Sequence, residues 1–154
     1  MPDVTNEQFA IIEVAIADLA NAFDVFEPPI PVEIMLQRPK EGMWKDYNLS
    51  ELSTAFINIK QRYSPRMSVA RLLARCACRS VWGTERKLTG LDEAHDSLYA
   101  LARAILMPKF MLDKLAPASR TPMAVSMRFE VPEEDARQRL VDLGYLVGDS
   151  NSQQ

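Results

Sequence analysis

The residues with the clearest chemical spacing are three arginines in the middle of the chain, Arg71, Arg75 and Arg79. They recur every four residues, so on a helix their guanidinium groups form a stripe along one side. Arginine stays protonated and offers only hydrogen-bond donors, so the stripe can bind carboxylates or phosphates but repels a metal cation.

Charge is unevenly distributed along the 154 residues, whose formal net charge is -3. Residues 1–59 carry ten acids and three bases, whereas residues 60–87 carry one acid and eight bases. The basic block could contact nucleic acid, but pairing with the acidic remainder of the chain is the favoured interpretation, because overall acidity opposes non-specific DNA binding.

The remaining reactive side chains give weak signals. Cys76 and Cys78 point about 200° apart on a helix and cannot bridge each other, so we interpret them as reduced, buried, structural thiols. The single histidine, His95, could join them in an improvised metal site, yet ligands on divergent helix faces rarely become tetrahedral, and a surface histidine is favoured. No phosphate loop, nucleophile elbow or second histidine occurs, so no cofactor is expected.

Composition predicts one ordinary globular domain. Hydrophobic residues make up 47% and charged residues 25% of the chain, and this length can close a single core. We expect one domain over residues 1–148 and a disordered tail over residues 149–154. The amino terminus is polar and acidic and no apolar run reaches eighteen residues, which predicts a cytoplasmic protein without a membrane partner.

Periodicity in the first part of the chain predicts a helix followed by extended structure. Thr5 and Gln8 form a capping-box pattern that begins a helix over residues 6–24. Prolines end it, and a helical turn or two is expected over residues 32–37. Alternating β-formers predict a strand near residues 54–60, paired with a second strand near residues 43–45.

The second part of the chain predicts four helices, over residues 64–82, 90–107, 123–129 and 132–144. Gly83 is the expected stop of the first of these helices, and Thr89 is the expected N-cap of the second. The last two helices are joined tightly, like a helix-turn-helix unit.

Several segments, taken in order, resemble the ImmA/IrrE family of zinc metallopeptidases. They are Phe56-Ile57-Asn58-Ile59, Ser64-Pro65-Arg66, residues 100–108 with Leu106-Met107-Pro108, and residues 127–140 followed by Leu143-Gly144. Each motif alone arises by chance, but their order and spacing are similar to the family pattern over most of residues 28–146. The resemblance implies an α+β, mainly α, zincin-like helical domain with a small antiparallel sheet and a C-terminal helix-turn-helix-like unit.

The resemblance also implies where a zinc site would lie. The two histidines of the family's His-Glu-x-x-His motif match Arg75 and Arg79, its catalytic glutamate matches Cys76, and its third ligand matches Ser97. All four positions depart from the family, so we expect no bound metal and no catalysis. In the retained fold, an ion-pair cluster would fill the former metal cleft, unless the arginines are simply solvated. Its members would be Arg71, Arg75, Arg79, Asp92, Glu93 and Asp96.

These expectations lead to a catalytically inactive pseudopeptidase that acts as a regulatory or protein-interaction module. The resemblance implies a helix-turn-helix transcriptional repressor, or another peptide-like partner. One alternative is a DNA-binding protein that uses the arginine stripe and the C-terminal helix pair, with phosphate contacts from Arg120, Arg128, Arg137 and Arg139. Acids at 130 and 133–135 oppose it. A working metallopeptidase is the least favoured alternative.

Overall fold

The computed structural model describes residues 3–45 and 62–148, and this part of the chain is mainly helical. Its eight α-helices are α1 Asn6–Ala22, α2 Val32–Gln37, α3 Ser64–Cys78, α4 Val81–Glu85, α5 His95–Leu106, α6 Lys109–Asp113, α7 Pro122–Phe129 and α8 Glu133–Asp142. Short 3₁₀ turns occupy Leu91–Glu93 and Pro117–Ser119. None of these helices is long and apolar enough to cross a membrane.

The predicted antiparallel sheet is not supported by the described residues. Residues 43–45, expected to form one of its strands, are not in a strand, and none occurs elsewhere in residues 3–45 or 62–148. Met43 and Trp44 are instead buried in the core, and the Trp44 indole donates to the Leu36 carbonyl at 3.0 Å. The predicted strand at 54–60 and the predicted tail at 149–154 lie outside the described residues.

Helix α1 begins as the sequence predicts. The Thr5 hydroxyl accepts the Gln8 backbone N–H at 3.0 Å, and the Gln8 side chain accepts the Thr5 backbone N–H at 2.9 Å. This capping box satisfies amide groups that the first turn leaves without helical partners. The buried face of α1 carries Ile12, Ile16 and Leu19.

Helix α3 ends earlier than predicted, at Cys78. Ser80 interrupts it, because its hydroxyl donates to the Ala77 carbonyl and accepts the Gly83 amide at 3.0 Å, which makes Ser80 the N-cap of α4. Gly83 is therefore inside α4, and its role as a stop was wrong. A Cβ at Gly83 would collide with the Ala77 carbonyl, so only glycine lets α4 pack this closely.

The start of α5 also differs from the prediction. Thr89 is not the N-cap, because its hydroxyl donates to Thr84 and Gly90 turns the chain with a left-handed φ of 90°. A 3₁₀ turn follows, and α5 begins at His95. The helix ends at Leu106, shortly before Pro108, as predicted.

The core is one cluster of buried hydrophobic side chains with members from every helix. Helices α3 and α5 form its centre and run antiparallel, since Arg71 of α3 lies over Tyr99 of α5 while Arg79 meets Asp92. Helices α7 and α8 pack against each other across a three-residue turn at 130–132, where Glu130 has a left-handed φ of 58°. Arg66 attaches this turn to α3 by donating to the Glu130 carbonyl at 3.1 Å.

Candidate functional site

The antiparallel packing of α3 and α5 places two polar stripes side by side. The stripe on α5 consists of His95, Tyr99 and Arg103, which also recur every four residues. Arg71 of the α3 stripe meets it at Tyr99. A polar face with one aromatic side chain at its centre results.

Tyr99 is the side chain that His95, Arg71 and Arg103 surround. The His95 ring stacks on it with centroids 3.9 Å apart and planes 22° apart. The Arg71 guanidinium carbon lies 4.9 Å from the Tyr99 ring centroid, and that of Arg103 lies 5.9 Å from it. Both distances are within the range of cation–π attraction.

A cleft follows this face, and we call it the Tyr99 cleft. It has two lobes that share His95, Tyr99 and Arg103. The first lobe, of about 340 Å³, adds Phe9, Asp96, Gln138 and Asp142 among its lining residues. The second lobe, of about 310 Å³, adds Met67, Arg71, Pro132, Glu134 and Asp135 among its lining residues.

An ion pair between α5 and α8 lines the second lobe. Arg103 Nε lies 3.1 Å from Asp135 Oδ1, and the two side chains are only 17% and 15% exposed. Partly buried charge-assisted hydrogen bonds of this kind fix geometry as well as adding stability. Arg103 and Asp135 therefore hold α8 at a fixed position beside the cleft.

Asp142 gives the first lobe a perturbed carboxyl group. Burial raises the pKa of Asp142, and the hydrogen bond that Gln138 Nε2 donates to it at 2.8 Å opposes the rise. The charges of Arg103 and Arg139 also lower this pKa, while that of Glu13 raises it. Ionisation of the Asp142 carboxyl therefore costs free energy in the folded protein, and the nearby donors offset this cost only in part.

The four positions assigned to zinc chemistry hold groups with other contacts. Ser97 is buried, and its hydroxyl donates to the Leu91 and Ala94 carbonyls, where it stabilises the start of α5. Arg79 is the C-cap of α3, and its Nε donates to Asp92 Oδ2 at 2.9 Å. Cys76 is buried and Arg75 is half-buried.

The structure brings together only part of the expected ion-pair cluster. Arg79 and Asp92 form one bridge, in which the Asp92 side chain is 8% exposed and that of Arg79 is 62% exposed. Arg71 contacts Tyr99 instead of an acid. Asp96 lies 3.5 Å from His95 Nδ1, and Glu93 is exposed.

The cysteines are buried thiols without a disulfide, as predicted. Burial raises the pKa of Cys78 to about 12, and the negative charge of Asp92 adds to the rise. A hydrogen bond from the Asp92 backbone and the charge of Arg79 act in the opposite direction. Because the thiolate is the nucleophilic form, Cys78 is inert at neutral pH.

No improvised metal site connects the cysteines with histidine. The His95 side chain is 72% exposed, whereas both cysteines are buried. Within the described ranges, no group of three His, Cys, Asp or Glu side chains is arranged to hold a metal ion. His95 instead belongs to the Tyr99 cleft.

Of the four arginines proposed for phosphate contacts, Arg139 is wrong as a surface residue and Arg120 is already bonded within the fold. Arg139 is fully buried, because it lies on the inward face of α8 with Ala136 and Leu140. Arg120 Nε and Nη2 donate to the Leu112 and Asp113 carbonyls at the end of α6.

Arg128 and Arg137 remain exposed. They stand with three acids, at 133–135, in the first turn of α8. This end of the molecule therefore lacks the uninterrupted positive surface that phosphate contacts need.

Sequence reasoning missed Tyr99, Arg103 and Asp135 as site residues. The spacing of His95, Tyr99 and Arg103 was a readable signal, since it repeats the four-residue spacing of the arginine stripe. The contact between Arg103 and Asp135 joins residues 32 positions apart, and no local pattern predicts it.

Comparison of the chain with protein-family models, curated proteins and solved structures finds no match. The ImmA/IrrE resemblance therefore rests on the order of the motifs in the sequence. The class of protein that the fold defines is a mainly helical one with a polar cleft beside its central helix pair.

Proposed function

We propose that this protein is a non-catalytic, regulatory protein-interaction module of the ImmA/IrrE-like type. Its partner is a peptide-like segment of another protein, with a helix-turn-helix repressor as the first candidate. One observation carries the proposal: two of the four positions that the resemblance assigns to zinc chemistry hold side chains whose hydrogen bonds are already used within the fold. Ser97 bonds two backbone carbonyls and Arg79 bonds Asp92.

The composition of the Tyr99 cleft supports a polypeptide ligand. The cleft combines aromatic and apolar surface from Phe9, Met67 and Tyr99 with cationic and anionic groups. Peptide grooves use such mixtures, because side chains of several types must be accepted along one segment. A phosphate backbone would meet the carboxylates of the cleft, such as Glu134 and Asp142, and would be repelled.

Hydrolysis is not part of the proposal for a chemical reason. Zincins need neutral imidazoles that donate lone pairs to the metal and a carboxylate that accepts a proton from the bound water. Guanidinium groups at 75 and 79 donate hydrogen bonds only. The proposal retains the predicted sheet strand near residues 54–60 and the cytoplasmic location as parts of the ImmA/IrrE-like interpretation.

The direct test is binding of defined peptides to the purified chain. Overlapping peptides of roughly twelve residues, taken from helix-turn-helix repressor sequences, are labelled and titrated by fluorescence anisotropy. We expect at least one peptide to bind saturably and to remain uncleaved after prolonged incubation with added zinc, as checked by mass spectrometry. Tyr99→Ala should weaken this binding, whereas Arg128→Ala, an exposed change on α7, should not.

Two outcomes would count against the proposal. Peptide cleavage that depends on zinc would support a working metallopeptidase. Failure of all the peptides, together with a duplex-DNA gel shift that weakens steeply with salt, would support the DNA-binding alternative.

A further inference from the structure

We propose that the second lobe of the Tyr99 cleft is a carboxylate-binding subsite in which Arg71 is the anchor. The ligand is a carboxylate of the partner segment, either an Asp or Glu side chain or a free C-terminus. This inference rests on the proposed function and specifies which group of the partner is recognised.

Arg71 has more donor groups than its contacts use. Its Nη2 donates to Ser68 Oγ at 3.2 Å, and its guanidinium lies over Tyr99. Within residues 3–45 and 62–148, no carboxylate lies within ion-pair distance of it. A guanidinium offers five N–H donors in a planar fork that matches the two oxygens of a carboxylate.

Arg71 is also held in place before any ligand arrives. It is half-buried in the lobe, and Tyr99, itself stacked against His95, contacts its guanidinium. The cation–π contact uses the positive charge of Arg71 and leaves in-plane N–H groups for a ligand. A side chain fixed in this way loses less conformational entropy on binding.

The neighbouring charges favour a monoanion over phosphate or nucleic acid. Asp135 is already paired with Arg103, and Glu134 is exposed on the rim of the same lobe. The positive charges of the two arginines in the lobe therefore equal the negative charges of its two acids. Arg71 can bind one negative charge, but the second charge of a phosphate dianion would be repelled by the carboxylates. Glu134 is also the lining carboxylate whose charge opposes a ligand carboxylate.

The experiment uses the full chain labelled with ¹⁵N and small probes observed by NMR. N-acetyl-aspartate methylamide carries a side-chain carboxylate, N-acetyl-diglycine carries a C-terminal one, and N-acetyl-diglycine amide carries none. We expect saturable shifts of the Arg71 Nε–H and of amides near Tyr99 with both carboxylates, at concentrations up to about 50 mM. The amide should give none, and the tighter carboxylate identifies the source on the partner.

Matched variants locate the effect. Arg71→Gln should weaken carboxylate binding by at least about tenfold, and Arg71→Lys, which keeps the charge but loses the fork, by about threefold or more. Glu134→Gln should strengthen it by about twofold, because a negative charge that repels the ligand is removed from the lining. Arg128→Gln should leave it unchanged. Unaltered spectra away from the cleft establish that each variant is folded. If Arg71→Gln does not fold, Arg71→Lys takes its place in the comparison.

Several results would overturn the subsite. They are equal shifts with the uncharged amide, unchanged affinity in both Arg71 variants, tighter binding of inorganic phosphate than of either carboxylate, and no saturable shift over the whole range. If partner peptides bind but the small carboxylates do not, the subsite is wrong and the proposed function stands. If the carboxylates bind but no peptide does, the proposed function is wrong and the subsite stands as a small-molecule site.

Discussion

Two arginines, Arg139 and Arg71, occupy contrasting environments in this protein. Arg139 is fully buried; its Nη1 and Nη2 donate to Glu13 at 2.6 and 2.8 Å, and its Nε donates to the Met107 carbonyl at 2.9 Å. Arg71 lies in a cleft, rests on Tyr99 and donates to one hydroxyl. An arginine whose donors are all bonded within the protein stabilises the fold. An arginine whose donors are only partly used is a candidate binding group.

The strongest test of this comparison is to break the buried pair. Arg139→Met would leave Glu13 largely buried without a cation, and removing one partner of such a pair costs about 3–5 kcal/mol of unfolding free energy. We expect urea unfolding to show this loss. Arg137→Met on the exposed side of the same helix is the matched control, and its midpoint should hardly move. A similar loss of unfolding free energy in both variants would show that the Arg139–Glu13 pair does not stabilise the packing of α8.

An intermediate case is the pair Arg103–Asp135, which lies at the wall of the cleft. Asp135→Asn removes the charge but keeps the side-chain size, and loss of a charge-assisted hydrogen bond of this kind costs about 1–3 kcal/mol. The loss should therefore be smaller than that of Arg139→Met. Equilibrium urea unfolding at pH 7 measures it. A loss as large as that of Arg139→Met would show that the fold depends on this partly buried pair as strongly as on the fully buried arginine.

The third charged contact, Arg79–Asp92, can be probed through Cys78 beside it. Burial raises the thiol pKa to about 12 in the folded protein, from 9.0 for a solvated cysteine. Because the folded state holds this proton more tightly, its stabilising effect is complete below pH 9 and is lost as pH rises from 9 to 12. At pH 10 the loss relative to Cys78→Ala should be about 1 kcal/mol.

Urea unfolding of the wild type and of Cys78→Ala across this pH range tests the direction of this change. The unfolding free energy of the wild type should fall relative to that of Cys78→Ala as pH rises. An unchanged difference between pH 8 and pH 11 would mean that the thiol is not shielded as the structure indicates.

The smallest effect is expected at Asp142, in the first lobe of the cleft. Burial raises its pKa, so its ionised form slightly destabilises the folded state at pH 7 and protonation relieves this on acidification. Asp142→Asn should therefore stabilise by a few tenths of a kcal/mol at neutral pH. Thermal unfolding at pH 7 and at pH 3 checks that the gain disappears in acid. A loss at neutral pH would show instead that Gln138 and the arginines outweigh the burial.

The sequence predicted local features better than contacts between distant residues. Thr5 with Gln8 identified the start of α1, because a capping box is complete within four residues. The break after Cys78 was missed, although Ser80 three residues before Gly83 is a readable N-cap pattern. Gly90 and Ser97 set the start of α5 through contacts with the Leu91 turn, which Thr89 alone did not indicate.

Site residues were harder to predict because exposure depends on the whole fold. Arg139 was taken for a surface arginine, yet Ala136, Arg139, Leu140 and Leu143 recur at the spacing of a buried face, and this signal was present in the sequence. That Glu13 would meet Arg139 across 126 positions was not predictable from any local pattern. The pairing of Arg71 with Tyr99 depends in the same way on the antiparallel packing of α3 and α5.

The Arg139–Glu13 contact also has a consequence for biosynthesis. Glu13 on α1 is synthesised 126 residues before Arg139, the cation that it pairs with on α8. The acid must therefore stay solvated, and α1 without its final packing, until α8 has left the ribosomal exit tunnel and can pack against it.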